Sequence, residues 1–185
     1  MRYDQTSSSD SASKTLERFF HGFAEYIFHA RLGIADTELV GYVGDLLIRF
    51  TKTDAMHRMR QLQGKTAVEM VGMLAEAQQR IGIAKREVHR HIGDFTLFWT
   101  GLYPEALRES AGTGQRDQFA SFCHQGKRAY EIASEIEPDS ETLTSSSLLK
   151  RMSSQFEMCA YGLREVRRQW ESPDDLDSGS GLLIS

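Results

Sequence analysis

The residues of this 185-residue chain best suited to chemistry are its six histidines, and their spacing limits what they can do. His21, Glu25 and His29 stand at i, i+4 and i+8, a row that resembles metal-ligand spacing. At about 100° per residue, this row falls opposite the apolar stripe Leu16, Phe20, Phe23, Ile27 and Ala30. A metal site in a bundle core needs inward-pointing ligands, so the row reads as a solvated face. His89 and His91 form an HxH pair, but on a helix they point about 200° apart and cannot chelate one ion. A carboxylate-bridged dimetal centre requires two Glu-x-x-His motifs, and the chain has only the loose relatives Asp54-x-x-His57 and His91-x-x-Asp94. No metal site and no cofactor is expected.

His91 is the most informative of the six. It falls in the stripe Val88, His91, Phe95, Phe98, with Glu87 four residues before it and Asp94 three after. An imidazole half-buried between two carboxylates could act as a general base or contact a ligand. It could equally be a core histidine whose ring nitrogens are satisfied by those carboxylates. The aromatic run Phe95, Phe98 and Trp99, with Phe119 and Phe122 further along, could line an apolar pocket beside it. The candidate ligand-binding set is therefore His91, Glu87, Asp94, Phe95, Phe98, Trp99, Phe119 and Phe122. The competing expectation is that this stripe is plain core.

Nucleophilic catalysis finds no support, and no catalytic residue is assigned. Cys123 and His124 are neighbours in sequence, but adjacent helical residues diverge by about 100° and do not form a dyad. Neither a phosphate-binding glycine loop nor a nucleophile elbow is present. Cys123 and Cys159 are the only cysteines, without ligand spacing, which suits a reducing cytoplasm. The N-terminal residues lack the apolar segment of a secretory signal, and no apolar run approaches the length of a membrane span.

The elements that must carry these residues read as helices almost throughout. The first runs from about Lys14 to Arg31, with Gly33 as its stop and Asp36 as the N-cap of the second. The second carries Leu39, Val43, Leu46 and Phe50, and a short helix with Met56, Met59 and Leu62 follows. Thr66 and Glu69 make a capping box before a helix bearing Val68, Val71, Leu74 and Ile81. The histidine-bearing helix starts near Ile83 and ends near Tyr103, because Pro104 disfavours helical dihedrals in the residue before it. A helix with Phe119 to Ile136 ends at Pro138, and a last one carries Leu149 to Trp170. Leu97 and Phe28 fall off their helices' core stripes, which suggests cover by a larger bundle or a second copy of the chain. Several glycines fall inside helices, where close packing is the usual reason.

The expected fold is an all-α, compact antiparallel bundle of five to six helices spanning residues 14–170. A serine-rich head at 1–13 and an acidic tail at 171–185 are expected to be disordered. The tail carries Glu171, Asp174, Asp175 and Asp177 without Lys or Arg, which accounts for the whole net charge of −4. Basic residues concentrate between Arg49 and Lys65 and again from Arg80 to Arg90, yet no recognition helix is evident and nucleic acid is disfavoured. The reading is a cytoplasmic bundle to which no catalytic activity is assigned. It acts by binding, as an interaction or regulatory module that self-associates or takes a protein partner away from any membrane. The alternative is a bundle that binds a small apolar ligand or a cofactor, and in one version is an enzyme, with an aromatic pocket around His91.

Overall fold

In the computed structural model every residue from Ile92 to Leu102 is buried, and the rest of the molecule is arranged around that stretch of helix. The structure describes residues 6–51, 66–109, 118–140 and 143–171. Eight α-helices form among them: α1 Thr6–Glu25, α2 Thr37–Thr51, α3 Thr66–Gln79, α4 Gly82–Leu102, α5 Pro104–Glu109, α6 Gln118–Ser134, α7 Ser146–Ser154 and α8 Phe156–Glu171. A π-helical turn, Tyr26–Arg31, continues α1. The chain is thus an all-α helical bundle, with no strand among the described residues. The central α4 packs against α2, α3, α5, α6 and α8. None of the described helices is long and apolar enough to cross a membrane.

Local signals account for most helix ends. Gly33 adopts φ +68°, which only glycine takes without strain, and reverses the chain after the π turn. Asp36 Oδ1 accepts from the Leu39 amide at 3.0 Å and caps α2. Pro104 ends α4 and occupies the first position of α5, where its missing N–H costs nothing. Ser145 Oγ accepts from the Leu148 amide at 3.2 Å and caps α7. The expected single C-terminal helix is interrupted at Gln155, giving α7 and α8. At the other end, α1 starts at Thr6 and so takes in residues 6–13, which had been assigned to the head. The expected helix around Met56–Leu62, the head before Thr6 and the tail beyond Glu171 lie outside the described residues.

Packing within the chain covers the two apolar residues that fall off their helices' stripes, as the larger-bundle alternative requires. Leu97 is fully buried because α4 has neighbours on all sides at that level, so it needs no second copy to cover it. Phe28 is also fully buried, although it lies off the Phe20–Ile27 stripe. The π turn winds more residues per turn than an α-helix and rotates Phe28 out of the α-helical projection. Its ring then fills the space where Gly162 of α8 lacks a side chain. On α3 the buried residues are Thr66, Met70, Met73 and Ala77, while Val68 and Val71 are exposed, as is Ile81 in the link to α4. Two apolar stripes exist on that helix, and packing against α4 selects the methionine one.

Arginines tie the helix ends together. Arg86, completely buried on α4, donates from Nε to the Ile136 carbonyl at 2.9 Å and from its other amino groups to Glu87 and the Thr144 carbonyl. It thus binds the end of α6 and the approach to α7. Arg151 pairs with Asp36 and Glu38 and joins α7 to the start of α2. Arg167 reaches Glu105, Glu171 and the Leu102 carbonyl and stacks over Tyr103 at 4.8 Å. Planar guanidinium groups suit this task because several donors reach several carbonyls at once.

Candidate functional site

Asp94 is the polar centre of the molecule. It is 1% exposed, and its carboxylate receives four donors from three helices. Tyr42 of α2 and Tyr130 of α6 donate to Oδ1 at 2.6 and 2.8 Å. Arg49 of α2 and Arg90 of α4 donate to Oδ2 at 3.1 and 2.8 Å. Arg90 also binds Glu87 at 2.8 Å, and Glu87 binds Arg86 at 2.9 Å. Burial and the Asp94 charge push both tyrosine phenols well above their ordinary range, which keeps each O–H available to donate. A buried carboxylate with all its acceptor sites engaged is stable where it lies. The same saturation leaves it no lone pair to offer a substrate.

The expected site residues are thus distributed differently from the sequence reading. His91 is exposed, whereas His89, two residues earlier, is buried. The side chain expected in the core has exchanged places with its neighbour because α3 and α6 cover the His89 face. Glu87 and Asp94 meet through Arg90 rather than through His91. Phe95, Phe98, Trp99 and Phe122 are all buried in one aromatic cluster, with Phe95 6.2 Å from both Trp99 and Phe122. The indole N–H of Trp99 is sealed there without a partner among the described residues. Phe119 is half-buried and lies apart, on an open groove of about 730 Å³ where α6 faces α7 and α8. His91 lines neither that groove nor the cleft at His89.

The remaining polar candidates have structural roles. His21 turns toward α2, donates from Nε2 to Asp45 at 3.0 Å, and lies over Gly44, where a Cβ would meet Nδ1 at 2.6 Å. Its side chain remains 35% exposed while it bridges to α2, which packs beside α1 on that side. His29 donates from Nδ1 to the Ile34 carbonyl and closes the turn after the π segment. Among the described residues no three His, Cys, Asp or Glu side chains converge as a metal site would require. Among the described basic residues, Arg49, Arg80, Arg86 and Arg90 each pair with a carboxylate of the chain itself, and Lys52, Arg58, Arg60 and Lys65 lie outside the described residues. Burial pushes the Cys159 thiol up to about 12, which makes it an inert core residue.

Two features escaped the sequence reading. One is the cleft at His89. The other is the outer face of α1, where Phe19 and Tyr26 are 44% and 51% exposed. Their helical phase relative to the Phe20–Ile27 stripe was a usable signal for the second, but not for the first. No protein-family model, curated protein or solved structure matches this chain.

Proposed function

We propose that this protein acts by binding, as an interaction module that associates with a second copy of itself through the outer face of α1. The observation that carries this reading is the arrangement of Phe19, Gly22 and Tyr26. They stand at i, i+3 and i+7 and share one side of the helix. Both aromatics are exposed, and among the described residues nothing beyond the helix's own backbone and chain neighbours lies within 4 Å of the position a Gly22 Cβ would occupy. The result is a shallow depression between two rings, into which a side chain from a second helix fits. Phe19 is braced from behind by its own helix, its ring 4.7 Å from that of Phe23 between centroids. Exposed aromatic surface of this kind is typical of contact sites between proteins.

The same face is self-complementary in charge. Arg18 and Glu25 are both exposed and stand seven residues apart on its flank. Two α1 helices packed antiparallel place Arg18 of each copy near Glu25 of the other. Isologous contacts require this reciprocal matching.

Sedimentation equilibrium tests the reading. The wild-type chain is expected to dimerise, and Phe19→Glu to shift it to monomer. Gly22→Arg gives a cleaner comparison, because the open space around Gly22 admits a side chain without disturbing the monomer. A strictly monomeric wild type at high concentration, or unchanged association in both variants, overturns it.

A further inference from the structure

Between α3, α4 and α6 lies a half-enclosed cleft of about 240 Å³. Its floor is apolar, with Ala77 and Ala129 buried at its base. Its polar residues are Lys85 and His89 of α4, Gln125 and Arg128 of α6, and Gln78 of α3, and none of the lining residues is acidic. Lys85 stands one turn before His89 and so shares its face of α4. Neither Lys85 nor Arg128 makes an ion pair among the described residues, in contrast to the arginines that bind Asp94. His89 is 7% exposed, and its buried Nδ1 has no hydrogen-bond partner among the described residues. Buried polar atoms are nearly always paired, so the position of the ring's one proton decides what the cleft can bind.

The ring's protonation narrows the chemistry. Burial, and after it the charges of Lys85 and Arg128, lower the His89 pKa and keep the imidazole neutral. A neutral ring carries one N–H, and placing it on Nδ1 would bury a donor with no acceptor, the rarer and costlier arrangement. The proton therefore belongs on Nε2. Lysine, arginine, an Nε2–H and two carboxamides make a set rich in donors over an apolar floor. The matching ligand carries acceptors and negative charge at one end and hydrocarbon at the other.

We propose that this cleft binds a small organic anion, its oxyanion headgroup held by Lys85, Arg128 and His89 and its short apolar body lying against Ala77 and Ala129. The volume sits just below the usual range for small-molecule pockets, about 300–1,000 Å³, which suits a compact metabolite-sized anion and excludes a nucleic-acid strand or a folded partner. The cleft is on a different face from the α1 surface, and its occupation does not depend on self-association.

Amide chemical shifts of the full-length chain, followed during separate titrations with butyrate, inorganic phosphate and n-butanol, test this. Butyrate or phosphate is expected to shift the Lys85, His89, Gln125 and Arg128 amides saturably, and the tighter of the two identifies the headgroup. Butanol, with the same stem and no charge, is expected to leave them unmoved. Lys85→Gln and Arg128→Gln lie at the rim, keep the fold, and should each weaken binding about tenfold. Failure of both anions to shift these amides, a response to butanol equal to that of butyrate, or undiminished affinity in the Lys85→Gln/Arg128→Gln double variant overturns the proposal.

Discussion

The Tyr130 hydroxyl reaches Asp94 at 2.8 Å because the residue before that aspartate is glycine. A Cβ on Gly93 would stand 2.6 Å from two carbons of the Tyr130 ring, so the ring lies flat against the α4 backbone and delivers its hydroxyl to the carboxylate one residue on. Gly93 and Asp94 therefore act as one device. One makes room for the phenol and the other accepts its hydrogen bond.

That coupling is measurable. Gly93→Ala is expected to destabilise the fold by about 1–3 kcal/mol through overpacking. Asp94→Asn removes the charge that Arg90 and Tyr42 are arranged around and should cost about 3 kcal/mol, the order found when one partner of a buried pair is lost. Urea denaturation of the two single variants and the double variant checks both values. Because the residues share Tyr130, the double variant is expected to lose less than the two single losses together.

Arg86 sets a second expectation. Arg86→Lys keeps the charge but cannot serve the Ile136 carbonyl, the Thr144 carbonyl and Glu87 from one planar fork. The variant should lose about 1–3 kcal/mol, the cost of a buried acceptor left unpaired. Hydrogen exchange should locate the loosening at the end of α6 and the start of α7.

His89 gives the bundle a pH dependence of definite sign. Its folded pKa is lowered by burial and by Lys85 and Arg128, while the unfolded chain takes up that proton near the ordinary value of about 6.5. The unfolded state therefore binds more protons between the two values, and stability is lost as pH falls through that window. Above it the His89 contribution is constant. Urea midpoints compared across pH 5 to 8 should show a steeper acid-side decline in the wild type than in His89→Gln.

The two cysteines should differ in reactivity. Cys159 is fully buried, with its thiol pushed up to about 12, whereas Cys123 is only partly buried on α6. A thiol reagent at pH 8 should label Cys123 in the folded protein and reach Cys159 only at the rate of unfolding. Mass spectrometry of peptides from the labelled protein distinguishes them.

The helical class was legible from the apolar period, and so were the ends marked by Gly33, Asp36 and Pro104. The core of α8 was legible as well: Cys159, Leu163 and Val166 are buried in the order their spacing implies. Periodicity misled on α4 for a definite reason. From Ile92 onward that helix is covered on every side, so it has no polar face against which to phase a stripe. Extrapolating from Phe95 and Phe98 placed His91 inside and passed over His89. On α3 two stripes of comparable strength were available, and only the partner helix distinguished Met70 and Met73 from Val68 and Val71.

The order of residues alone determined that this chain is helical, where several of its helices end, and which glycines interrupt them. Those properties follow from backbone dihedrals and near-neighbour spacing, which act within a few residues. Tertiary structure decided which histidine is buried, that Asp94 receives Tyr42, Arg49, Arg90 and Tyr130, and that Arg128 lies across one cleft from Lys85 and His89. Apart from Arg90, the partners of Asp94 lie 36 to 52 positions from it, with Tyr130 and Tyr42 at the two ends of that range. Burial and hydrogen bonding depend on what packs against a face, and no local spacing encodes the identity of that neighbour.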